Sequence, residues 1–64
     1  MRNLSNTVKE FGDTQGELAK ILGISETTLS LKINGKAEFK QTEIRIIADR
    51  YSLTADDIKE LFNL

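Results

Sequence analysis

Apolar residues return at helical spacing in five separate stretches of this chain, with polar punctuation between them. Within residues 1–13, Leu4, Val8 and Phe11 form one stripe and Gly12-Asp13 breaks it. That predicts a first helix whose apolar side packs into a core. Arg2 is read as part of a fraying terminus rather than as a phosphate contact. Residues 15–22 predict a second helix that buries Leu18, Ala19 and Leu22. Residues 26–34 predict a third, with Leu29 and Ile33 one turn apart on its inward side. In 41–51, Ile44, Ile47, Ala48 and Tyr51 follow the i, i+3, i+4, i+7 pattern, and Phe39 plugs the core ahead of them. Residues 54–62 predict a fifth helix, and Ile58, Leu61, Phe62 and Leu64 leave an apolar end.

The middle of the chain carries the clearest local signals. Thr14 is an N-cap candidate, and Glu17 three residues later completes a capping box. Ser25 is a second N-cap, with Ile24 and Leu29 placed to form a hydrophobic staple. Gly23 and Gly35 stand where the second and third helices must stop, and glycine accepts the left-handed conformation such stops commonly need. Thr54 caps the fifth helix, Leu53 and Ile58 staple it, and Asp56 and Asp57 complement its positive dipole end. Two short helices joined by a glycine-bearing turn follow the helix-turn-helix plan.

The third helix has an unusual outward side. Opposite Leu29 and Ile33, at about 100° per residue, the chain presents Leu31, with Thr27, Thr28 and Asn34 beside it and Ser30 and Lys32 on the flanks. A solvated helix normally carries more Glu and Lys there. Hydroxyls, an amide and one aliphatic group suit the donors, acceptors and thymine methyl of a major groove. The plainer alternative is a neutral surface helix with one exposed leucine. In the loop 35–40, Lys36 and Lys40 join Lys32 in a cationic cluster against Glu38 alone. Such a cluster suits a phosphate clamp and suits an ordinary surface loop equally well. Gln15 and Gly16 lie in the first turn of the second helix, where free N–H groups accept an anion.

Composition narrows the picture. A chain of 64 residues allows one small domain, 1–64, with one modest core. With no Cys and no His, disulfides, thiolate chemistry and ordinary zinc sites are excluded. No nucleophile–base pair, phosphate-cradling glycine loop or paired catalytic carboxylates occur, so the sequence points away from an enzyme and from any cofactor. No apolar run approaches membrane-spanning length, and the start lacks the apolar block of a signal peptide, in keeping with a cytoplasmic protein. The net charge of −1 gives no global attraction for a polyanion, so any nucleic-acid surface must be local.

The segment Thr14-Gln15-Gly16-Glu17-Leu18-Ala19 through Gly23-Ile24-Ser25, then Thr28-Leu29-Ser30 to Asn34-Gly35-Lys36, resembles the phage repressor and Cro-like helix-turn-helix family. The run Leu29 to Lys40, followed by Gln41-Thr42-Glu43-Ile44, looks especially like short phage-type regulators. The resemblance covers roughly Leu4 to Phe62. It implies an all-α, compact five-helix domain of lambda-repressor-like fold, with helices 2 and 3 as the helix-turn-helix and helix 3 in the major groove. By the same resemblance, Glu26, Thr27 and Leu31 fall at base-reading positions, Gln15 at a phosphate contact opening helix 2, and Asn34 and Lys36 at phosphate contacts. Ser30 joins the base readers, and Thr28 and Lys40 join the backbone contacts. For Glu26, complementing the helix dipole is preferred over pairing with a cytosine amino group. One departure matters. The family often has an apolar residue three positions after Leu29; here that position is Lys32, and Ile33 is apolar instead, which predicts a slightly rotated third helix.

The expectation is therefore a small phage or prophage regulator that binds a two-fold symmetric double-stranded operator as a homodimer, pairing through Leu61, Phe62 and Leu64. The alternative is a protein-interaction module, antirepressor-like or antitoxin-like, that keeps the helical scaffold without binding DNA. The acidic balance and the apolar end favour the alternative.

Overall fold

Local capping chemistry sets most of the helix boundaries. The computed structural model describes residues 3–62; Arg2 and Leu64 therefore lie outside the described residues. The helices are α1 Leu4–Glu10, α2 Gln15–Leu22, α3 Glu26–Ile33, α4 Gln41–Tyr51 and α5 Ala55–Phe62. Asn3 opens α1 by accepting the Asn6 N–H at 2.8 Å, a cap that hydrophobic spacing alone does not reveal. Thr14, Ser25 and Thr54 accept the N–H groups of Glu17, Thr28 and Asp57, each three residues ahead. The reciprocal bond differs among them. Asp57 accepts the Thr54 N–H, a complete capping box. Glu17 instead accepts the Thr14 hydroxyl at 3.2 Å, so the expected box around α2 is only half made.

The stops are equally local. Gly23 is left-handed at φ 74°, and the N–H groups of Gly23 and Ile24 return to the carbonyls of Lys20 and Ala19. This Schellman arrangement satisfies the last turn of α2 and turns the chain within three residues toward α3. Ser52 makes the corresponding turn after α4 with φ 52°, where an L side chain is disfavoured. Ser52→Gly is therefore expected to raise stability by about 0.5–1 kcal/mol, the strain relieved exceeding the added chain entropy. A shift of the urea midpoint to lower concentration would contradict that expectation.

Leu4 and Val8 of α1, Leu18 and Ala19 of α2, Leu29 of α3, and Ile47 and Tyr51 of α4 form the buried core. Leu22, Ile24, Ile33, Phe39, Leu53 and Phe62 close around it, partly exposed. The fold is thus all-helical and compact, with five helices and no strand among the described residues. None of these helices is long and apolar enough to cross a membrane.

One packing expectation needs correction. Phe11 is not a core residue: α1 ends at Glu10, and Phe11 is 53% exposed, its ring leaning on that of Tyr51 with centroids 5.0 Å apart. Thr7 takes the buried place on α1 instead, its hydroxyl satisfied by the Asn3 carbonyl at 3.1 Å. A polar clasp joins the α1–α2 loop to the end of α4. The Asp13 carboxylate accepts Arg50 Nε and Nη2 at 2.7 and 2.8 Å and the Tyr51 hydroxyl at 2.7 Å. The Arg50 hydrogen bond, then that of Tyr51, holds the Asp13 carboxyl down to about 2, and burial with the Asp13 bond pushes the Tyr51 phenol up to about 12.

Candidate nucleic-acid interface

The orientation of α3 follows from what it buries. Leu29 is fully enclosed, and the second enclosed side chain is Lys32, with Ile33 only partly covered. This corrects one expectation: Lys32 does not lie on a flank or join a cationic cluster, while Ile33 still packs against the edge of the core. The burial direction runs between Leu29 and Lys32, roughly 50° from the direction set by Leu29 and Ile33.

Lys32 tolerates this position because Glu43 of α4 is buried beside it. Lys32 Nζ donates to both Glu43 oxygens, at 2.5 and 2.7 Å, and the two side chains are only 8% and 6% exposed. Burial pushes the Glu43 carboxyl up. The Lys32 hydrogen bond, the Lys40 N–H at 2.8 Å and the charges of both lysines more than offset this, and the carboxyl is held below its usual range. Charged groups are rarely enclosed unless paired, and here both are paired. Hydrophobic spacing passed over Glu43, although its place four residues before Ile47 and eight before Tyr51 puts it on the buried stripe of α4.

With Lys32 inward, the centre of the outward side moves from Leu31 to Thr27 and Asn34, both exposed. Leu31, 43% exposed, and half-buried Ser30 lie on either side of that centre. The Asn34 amide is 3.5 Å from the Ser30 hydroxyl, at the outer limit of a hydrogen bond, so it is weakly held. Thr28 is turned toward the start of the helix, where its hydroxyl accepts that of Ser25 at 2.8 Å. Its own proton stays available as a donor. Four side chains of short reach (Thr27, Ser30, Leu31 and Asn34) thus share one uncharged, accessible surface.

The flanking positions divide into two groups. Lys36 follows the left-handed Gly35, and its N–H returns to the Leu31 carbonyl at 2.9 Å, which folds the loop against the last turn of α3. Lys40 opens α4 with its N–H fixed by Glu43. Both lysine side chains are exposed, opposed in the loop by Glu38. At the other end, Gln15 is half-buried in the first turn of α2. The exposed Glu26 bends toward that same turn: a β-carbon added at Gly16 would meet Glu26 Oε2 at 3.4 Å. Glu26 stands in the first turn of α3, the helix whose dipole it was expected to complement, and lies close to the positive end of α2 as well. It also puts negative charge, with Glu17 nearby, where a phosphate was expected beside Gln15 and Gly16.

No curated protein and no solved structure matches the chain. One family model does, over residues 1–63, and it is described as a protein of unknown function, DUF739. The match takes in all five helices, the α2–turn–α3 unit and the Lys32–Glu43 pair, and the chain belongs to the DUF739 family.

Proposed function

We propose that this chain is a sequence-specific DNA-binding transcriptional regulator, a phage or prophage protein of repressor or Cro-like type acting in the cytoplasm. In this proposal α2 and α3 form the helix-turn-helix, and α3 enters the major groove of a double-stranded operator. The observation that carries it is the exposed, uncharged surface of α3 centred on Thr27 and Asn34. Thr27, Ser30 and Leu31 read base edges, with Glu26 at the margin of the groove. Gln15, Thr28, Asn34, Lys36 and Lys40 hold the phosphate backbone. One copy carries one α3 and covers one half-site, and a homodimer covers two, roughly 34 Å apart. Leu61 and Phe62 are half-buried at the far end of α5 and belong to the proposed dimer contact, although the Phe62 and Phe39 rings already meet at right angles with centroids 5.0 Å apart.

A second proposal, a protein-interaction module on the same scaffold, is favoured by one observation. Glu26 lies over the first turn of α2, where a phosphate would otherwise approach. Titrating the chain with a random duplex and with a duplex selected from a random pool, at low and high salt, separates the two. A DNA reader loses affinity steeply with salt and distinguishes the duplexes. Leu31→Ala is expected to weaken discrimination at one thymine by about 1–3 kcal/mol, whereas Lys36→Ala weakens both duplexes alike and lowers the salt slope by about one. Absence of any salt-dependent DNA association would leave the protein-interaction proposal standing.

A further inference from the structure

Among the inward contacts of α3, Leu29 and Lys32 differ in kind. Leu29 is enclosed by apolar groups, and apolar contact has little directional preference. A helix held only that way can roll at small cost. The Lys32–Glu43 contact is directional, because a charged donor facing two carboxylate oxygens is favourable over a narrow range of geometry. A roll of about 20° would carry a side-chain tip, about 5 Å from the helix axis, through roughly 2 Å, which exceeds the whole range of hydrogen-bond lengths. The same Glu43 oxygen that meets Lys32 also accepts the Lys40 N–H. One buried carboxylate therefore fixes both the roll of α3 and the end of the loop that carries Lys36 and Lys40.

We infer that Lys32 and Glu43 are specificity-determining positioning residues: they set which α3 side chains meet the bases while touching no DNA themselves. This rests on the DNA-binding proposal above. The pair carries opposite charges, so removing both leaves the net charge of −1 unchanged. Non-specific attraction to phosphate, which follows charge, should then persist while discrimination is lost.

The full chain with Lys32→Met and Glu43→Leu together is compared with the unaltered chain on two duplexes, the one the unaltered chain selects and a random one, at one salt concentration. The expected result is a fall of about tenfold or more in the selected-to-random affinity ratio, with random-duplex affinity within about threefold. Amide shifts of Thr27 and Asn34 should move in the free protein, which reports the roll without DNA. An unchanged ratio in a folded double variant overturns the inference alone. Failure of the unaltered chain to enrich any duplex overturns both the inference and the DNA-binding proposal. If the double variant does not fold, Glu43→Asp is measured the same way, since it keeps the charge pair and shortens the arm by one methylene. It should lower the ratio by about threefold or more, and an unchanged ratio there overturns the inference as well.

Discussion

Glu43→Leu alone is expected to remove about 3–5 kcal/mol of folding stability, because Lys32 would remain buried with its charge uncompensated. A chain of 64 residues has only about 3–10 kcal/mol in total at typical values per residue. The single variant should therefore lose about a third or more of its total stability and unfold at a much lower urea concentration. Lys32→Met should cost less. Glu43 would keep the Lys40 N–H at 2.8 Å and could take up a proton in place of its lost partner. Changing both residues should restore most of the loss, since two well-packed apolar side chains often equal or exceed a buried ion pair in stability. Urea unfolding of the four chains gives the coupling energy directly. If the losses from the two single changes simply add in the double variant, the residues are not energetically coupled.

The second large effect is expected in acid. Asp13 titrates near 3.9 in an unfolded chain and at about 2 in the fold, where Arg50 and Tyr51 bond its carboxylate. A depressed carboxyl contributes stability that is complete above the unfolded value and disappears as pH falls through the folded one. The thermal midpoint of the unaltered chain should therefore drop between about pH 4 and pH 2. Asp13→Asn should start lower at neutral pH and show a shallower drop across that window. Some slope should survive, because the Glu43 carboxyl is also held low. Arg50 is 39% exposed, so salt should reduce the difference. Tyr51 acts in the opposite range: its raised phenol favours the fold below pH 10, and that contribution is lost as pH rises through about 12. Identical acid profiles for the two chains would mean that the clasp adds no net stability.

The helices were readable from sequence because their signals are local. Thr14, Ser25 and Thr54 cap groups three residues away, and Gly23 and Gly35 end helices through their own backbone angles. The left-handed stop at Ser52 had no glycine to mark it. The two charged contacts that shape the interior join residues 11 and 37 positions apart, beyond any periodicity within one helix. A trace of the first was nevertheless present. Lys32 lies about 60° from Leu29 around α3, and Glu43 stands on the Ile47–Tyr51 stripe of α4. Opposite charges on two inward stripes can only be accommodated by meeting. Asp13 and Arg50 left no such mark, since both sit near helix ends where charge is ordinary. Phe11 misled because its spacing continued the α1 stripe one residue past the helix end.

The span of 37 residues between Asp13 and Arg50 also bears on how the chain gains and loses its structure in time. Closing so wide a loop takes about 3 kcal/mol of chain entropy, more than partly exposed polar contacts return before the helices between them have collapsed. The clasp should thus form after the rate-limiting step. Its strength then governs how long a folded molecule persists far more than how quickly one is made.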